Sequence, residues 1–163
     1  MSQELQYAVS QFLFHKSALC DARQWEAYLD LYDEDSLFHI PQWIDEHTYV
    51  QDPNQGLSYV YYEDRTGLED RVFRIGTGKA ASATPMPRTC HMINNVLVET
   101  LADGNVEARV VWQTLYNRQG VEGCFYGHAT YLLRRVGDGF RIRKQHTVLL
   151  NDKIDSVLDF YHV

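Results

Sequence analysis

The stretch TCHMINNVLVETLADGNVEARVVWQTLYNRQGVEGCFYGHATYLLRRVGDGFRIRKQHTVLL, residues 89–150, decides the fold. It holds four long β-branched and aromatic runs, 89–101, 105–117, 122–136 and 140–150, separated by Ala102-Asp103-Gly104, Arg118-Gln119-Gly120 and Gly137-Asp138-Gly139. Such runs favour extended backbone, and short glycine-bearing breaks between them favour tight hairpins. A four-stranded antiparallel meander is expected. In the second run Val106, Ala108, Val110 and Trp112 share one parity while Glu107, Arg109, Gln113 and Asn117 share the other, so the strand buries one face only.

Working outward, the N-terminal half must supply the cover for that face. Leu5, Val9, Phe12 and Leu19 lie at i, i+4, i+7 and i+14, the stripe of a first helix. His15 sits on this stripe and reads as a satisfied core histidine. Asp21 with Gln24 three residues on suggests the cap of a second helix, whose Trp25, Tyr28, Leu29 and Tyr32 continue the period. After an acidic turn at Asp33-Glu34-Asp35, residues 37–40 read as a short strand that Pro41 ends, because proline cannot donate to a ladder. Residues 45–56 read as an exposed loop and 57–62 as a strand. Thr66 with Glu69 forms a capping-box pattern ahead of Leu68, Val72 and Ile75, a third helix stopped by Gly76 and Gly78. Helices first and a curved antiparallel sheet afterwards make an α+β cone with room for a pocket.

Composition narrows the class. The 163 residues are 45% hydrophobic and carry 15 Lys plus Arg against 22 Asp plus Glu, a net charge of −7. One domain spanning 1–163 is expected, and its acidity opposes both nucleic acid and anionic membranes as partners. No apolar run reaches 18 residues, and Met1, Ser2, Gln3 and Glu4 lack the basic start of an export signal. A cytoplasmic setting fits.

Cys20, Cys90 and Cys124 are an odd number with no CxxC or CxH spacing, neither a disulfide framework nor a zinc or iron–sulfur set, and each reads as a small buried or half-buried residue. Seven histidines include no HExxH or HxH. His39, Asp45, Glu46 and His47 hold the ligand types of an open iron site, yet Pro41 and the polar run beyond it favour a surface loop. The candidates for an acid–base pocket inside the cone are Tyr61, Tyr62, His91, His128 and His146. His128 shares parity with Tyr126 and Thr130, and His146 with Lys144 and Val148, so register decides whether each points inward, and a structural role is the stronger reading. Gly76, Gly78 and Lys79 fail as a phosphate loop because the glycines follow a helix instead of opening one, and no GxSxG elbow exists. Eleven tyrosines, seven phenylalanines and three tryptophans exceed what the expected core needs. Trp43, Tyr49, Tyr59, Tyr61 and Tyr62 are therefore candidates for a subunit contact.

The order of these segments resembles a family. The run SYVYYEDRTGLEDRVFRIGTG at 58–78, followed by Pro87-Arg88-Thr89 and Asn94-Asn95-Val96, together with FHIP at 38–41 and Leu149-Leu150-Asn151-Asp152, resembles the small (β) subunit of aromatic ring-hydroxylating dioxygenases, in its anthranilate and benzoate branch. FHIPQW at 38–43 and AASATPMPRT at 80–89 incline the reading toward anthranilate. The resemblance implies an NTF2-like (cystatin-like) cone, assembled with a large α subunit into an α3β3 heterohexamer. It implies that the α subunit carries a Rieske [2Fe–2S] cluster and a mononuclear Fe(II), fed with electrons from NADH by a separate reductase. This chain lacks the paired Cys-x-His and Cys-x-x-His elements of a Rieske cluster, so no catalytic, cofactor-binding or metal residue is assigned to it. The holoenzyme would convert anthranilate, O2 and NADH to catechol, CO2 and NH3. Two readings of other classes stand beside this one: a self-sufficient isomerase or dehydratase using the cone, and a binding module for an aromatic metabolite.

Overall fold

The computed structural model describes residues 2–155 and 157–163. Helix α1 (Gln3–Asp21) starts where the Ser2 hydroxyl accepts a hydrogen bond from the Leu5 amide at 3.1 Å, satisfying one orphan donor of the first turn. Its inner face is Val9, Leu13, Lys16 and Cys20, spaced i, i+4, i+7 and i+11, and all four are buried. His15 lies on the opposite side and is exposed, which corrects its reading as a core histidine. The stripe is rotated so that a lysine takes the core position.

Helix α2 (Trp25–Leu29) is one short turn whose N-cap position is Gln24, without a side-chain cap. Asp21 therefore caps nothing in α2; it ends α1, and its carboxylate crosses to the sheet instead. Strand β1 (Tyr32–Pro41) begins earlier than expected. The acidic triplet at 33–35 is part of the strand and no turn, because Asp33 is buried in an ion pair with Arg134, whose Nε donates at 2.9 Å. Strand β2 (Ser58–Tyr62) pairs antiparallel with β1, with a register shift where Pro41 withdraws its donor. Helix α3 (Thr66–Gly76) follows. The Thr66–Glu69 capping box does not form: the Asp64 carboxylate accepts from the Thr66 amide at 2.8 Å, and Glu69 pairs with Arg65.

The second half forms the expected meander: β3 (Arg88–Thr100), β4 (Val106–Arg118), β5 (Val121–Val136) and β6 (Gly139–Leu149). Between β4 and β5 only Gln119 (φ 52) and Gly120 (φ 81) intervene, and two left-handed residues in a two-residue turn match the twist of the flanking strands. The sheet order is β2-β1-β6-β5-β4-β3, with β1 and β6 parallel and the other pairs antiparallel. A bulge between Asn94 and Leu97, with Asn95 at φ 50, helps bend β3. Val106, Ala108, Val110 and Trp112 all face the core as their parity required.

Helix α1 lies across β3, pinned where the Gln6 side chain donates to the Val96 carbonyl at 2.8 Å. Helix α3 covers less of the sheet than expected, since only Leu68 is buried and Phe73 is 73% exposed. What the helices leave open is filled by a C-terminal 3-10 turn, Phe160–His162, of which Phe160 and Tyr161 are fully buried. Each large apolar side chain removed from water contributes about 1.5–3 kcal/mol, so this short turn is a substantial part of the core. No helix among the described residues is long and apolar enough to cross a membrane.

Candidate functional site

The cone interior is built around Lys16, which α1 carries into a box of tyrosines. Its Nζ lies 5.5 Å from the ring centroids of both Tyr28 and Tyr131. Tyr28 and Tyr32 hydroxyls are 3.0 Å apart, Tyr32 donates to Gln145 Oε1 at 2.6 Å, and Gln145 Nε2 donates to Thr147 at 3.1 Å. Burial drives both the Tyr28 and Tyr32 hydroxyls well above the ordinary tyrosine range, so the box is neutral apart from the ammonium. Burial opposes that charge, and the electron-rich faces of the Tyr28 and Tyr131 rings partly offset it. Sequence reasoning missed Lys16, although its position seven residues after Val9 places it on the buried face.

A second buried cluster forms where Asp159 gathers the C-terminal turn. Its carboxylate accepts from Arg71 Nε at 3.1 Å, from Ser82 Oγ at 3.1 Å and from the Phe160 amide at 2.9 Å. Its own amide donates to His162 Nδ1 at 2.8 Å, closing a capping box. Burial pushes His162 down to about 4, so its imidazole is neutral and free to accept that bond. Tyr116, Phe125 and Tyr161 enclose the ring. The interior is thus occupied by the chain's own side chains.

Of the acid–base candidates, His91 and Tyr62 point into the cone. His91 Nδ1 lies 2.5 Å from Asp21 Oδ1, and Asp21 also accepts from the Thr89 hydroxyl at 2.9 Å and the His91 amide at 3.0 Å. Although burial alone would raise the Asp21 pKa, the bonds from His91 and Thr89 outweigh it and hold the carboxyl below its ordinary range. Cys20 Sγ sits 3.9 Å from His91 Nε2, completing a thiol–imidazole–carboxylate order. Only geometry links this to a nucleophile relay: Cys20 is 3% exposed and burial pushes its thiol up to about 12, so no thiolate forms. The cluster latches the end of α1 to β3.

Tyr61, His128 and His146 point the other way, onto the sheet face that bears no helix. Two register rows make its floor: Leu37–Lys144–Leu132–Glu107 and His39–His146–Thr130–Arg109. The five candidates therefore never share one site. His39 is buried with Nε2 2.9 Å from Ser58 Oγ, and its ring is 5.1 Å from His146 and 5.5 Å from Tyr61. Asp45, Glu46 and His47 stay on an exposed loop in which Asp45 accepts from the His47 amide, away from His39. Among the described residues no group of three or more His, Cys, Asp or Glu is placed to hold a metal ion. Cys90 and Cys124 flank Leu115 on the helix-free face while Cys20 lies inside, a donor set that does not fit an iron–sulfur cluster. Cys90 is exposed, which corrects its reading as buried or half-buried.

The aromatic residues marked for a subunit contact are largely engaged within the chain. Trp43 Nε1 donates to the Leu149 carbonyl at 2.7 Å and packs edge-on to Tyr49, and Tyr62 packs on Phe38. The apolar groups left open on the helix-free face are instead Leu97, Val111, Leu115 and Tyr126.

Comparison with known proteins places this architecture. A family model described as ring hydroxylating beta subunit matches residues 15–156. The anthranilate 1,2-dioxygenase small subunit of Acinetobacter baylyi is 76% identical over 163 residues, covering 100% of each chain. The crystal structure of the beta subunit of benzoate 1,2-dioxygenase from Burkholderia mallei shares 35% identity and a TM-score of 0.77, covering 95% of each chain. An NTF2-like protein with a cystatin-like fold from Novosphingobium aromaticivorans has a TM-score of 0.62 at 17% identity, covering 91% of this chain and 83% of that one, a likeness of fold alone. The α+β, NTF2-like cone expected from the sequence is the observed fold. With its packed interior and a match running from end to end, the chain belongs to the ring hydroxylating beta subunit family.

Proposed function

We propose that this chain is the non-catalytic small subunit of an anthranilate 1,2-dioxygenase, in which a large α subunit holds the Rieske [2Fe–2S] cluster and the mononuclear Fe(II). The observation that carries the reading is 76% identity to an anthranilate dioxygenase small subunit over the whole of both chains, against 35% to the benzoate enzyme's subunit. The packed cone supports it, because Tyr28, Tyr32, Tyr131, Phe160 and Tyr161 occupy the space an isomerase or dehydratase would give to substrate. We read residues 1–163 as one domain, cytoplasmic, assembling as an α3β3 heterohexamer and receiving electrons from NADH through a separate reductase. The exposed apolar side chains of the helix-free face, with the charge of −7, suit a protein partner and no polyanion.

Co-expression with the large subunit, followed by turnover with anthranilate and the reductase, tests this. Catechol formation by a stable heteromer is expected, with benzoate turned over more slowly. Failure of the two chains to associate, or dioxygenase turnover by this chain alone, would overturn the assignment.

A further inference from the structure

The helix-free face also carries a groove of about 470 Å³ whose lining includes none of the exposed apolar side chains Leu97, Val111, Leu115 and Tyr126. Its floor is the row Leu37–Lys144–Leu132–Glu107 with His39, His146 and Thr130 of the second row, and its roof is the loop segment from Tyr49 to Pro53. The Tyr49 ring lies 5.8 Å from that of His146 and 6.4 Å from that of His128, so the loop is folded down onto the imidazoles. At one end stand Lys144 and His146, two residues apart on β6 and therefore on one face. Leu132 follows in register with Lys144, then Glu107 on the next strand, about 10 Å away at the usual strand spacing.

We propose that this groove is an accessory binding site for a small aromatic carboxylate, held with its carboxylate between Lys144 and His146 and its ring between Leu132 and Tyr49. The length between Lys144 and Glu107 accommodates one ring with its carboxylate. The charge pattern selects the ligand class. The Lys144 ammonium beside imidazoles satisfies one negative charge, while at the far end Glu107 and Arg109, 3.7 Å apart, cancel and leave no further net positive charge for a dianion or a longer polyanion. The apolar middle of the floor would be idle for a purely inorganic anion.

The groups facing His146 are His39 and Lys144 from the sheet, Tyr49 from the loop and His128 at the rim. Burial, then the proximity of His39, Lys144 and His128, pushes His146 down to about 4, so the empty groove holds a neutral imidazole. A carboxylate seated beside it favours the imidazolium, so binding takes up a proton and tightens as pH falls toward 5.

Histidine-resolved NMR on the full chain tests the site, with sodium benzoate as probe and sodium acetate and benzamide as controls. Saturable shifts of His146 and His39 with benzoate are expected, with a dissociation constant on the order of 1 mM. His91 and His162 inside the cone should not move, and the His146 titration midpoint should rise in the presence of benzoate. Lys144→Gln, at an exposed position that does not threaten folding, should weaken binding about tenfold through loss of one charge-assisted contact. Absence of a saturable response to benzoate overturns the site, an equal response to acetate overturns the aromatic component, and an equal response to benzamide overturns the role of Lys144. None of these readouts requires turnover or assembly with a large subunit, so the site and the proposed function stand or fall separately.

Discussion

Asp159 holds the C-terminal turn in the cone, and replacing it with alanine gives a calculable loss. The carboxylate is 2% exposed and accepts from Arg71, Ser82 and the Phe160 amide. Removing one member of a buried ion pair costs about 3–5 kcal/mol, chiefly by stranding the other charge. The Arg71 side chain is 23% exposed and can recover some water, which points to the lower end, about 3 kcal/mol. Loss of the cap on the 3-10 turn adds about 1 kcal/mol. The total of about 4 kcal/mol corresponds to a fall of about 8–16 °C in melting temperature for a chain of this size. Thermal and urea unfolding of Asp159→Ala, Arg71→Ala and the double variant give the coupling energy, expected at about 2 kcal/mol. Asp138→Ala, on the exposed turn between β5 and β6, serves as a control within about 0.5 kcal/mol of wild type. If Asp159→Ala melts with the control, or the cycle shows no coupling, the turn is not held as described and the account of a self-filled cone is wrong.

Three further outcomes follow from the same structure. Gly127→Ala should cost at least about 3 kcal/mol by urea unfolding, because the added Cβ would lie 1.9 Å from the Val148 carbonyl oxygen on the neighbouring strand, and a cost below about 1 kcal/mol would contradict that close approach. His162, lowered from 6.5 to about 4, binds its proton more weakly folded than unfolded, so its contribution is fully present above pH 6.5 and is lost as pH falls toward 4. His162→Gln should remove about one proton from the pH dependence of unfolding in that window, and an unchanged slope refutes it. Mass-spectrometric mapping of alkylation should find Cys90 modified first, Cys124 slowly, and Cys20 only on unfolding; early modification of Cys20 would contradict its burial and its raised thiol pKa.

Periodicity revealed the fold where one rule governed. β4 alternates from Val106 to Trp112 and glycine-bearing breaks separate the four runs, so strand ends and the buried parity of β4 were legible from residues alone. It misled where two rules competed. His15 lies on the stripe defined by Leu5, Val9 and Phe12, but the stripe through Val9, Leu13, Lys16 and Cys20 wins because the lysine finds two tyrosine faces contributed by distant segments. Asp21 and Thr66 both matched capping patterns, yet neither caps its helix: Asp21 is taken by His91 on distant β3, and the Thr66 amide is taken by the carboxylate of Asp64 two residues earlier. The split of Tyr61 from Tyr62, and of His91 from His128 and His146, follows from strand register, which a one-residue slip would invert. The C-terminal plug was invisible because a three-residue turn has no period at all; Phe160 and Tyr161 are buried by tertiary contact.

On the proposed role, this chain folds around its own side chains and leaves the redox chemistry to a partner. Iron analysis combined with native mass spectrometry, on this chain and its large subunit purified separately and then mixed, tests it directly. An iron-free small subunit that joins the iron-bearing large subunit in a discrete heteromer, without taking up metal, is expected. Stoichiometric iron retained by this chain on its own would contradict it.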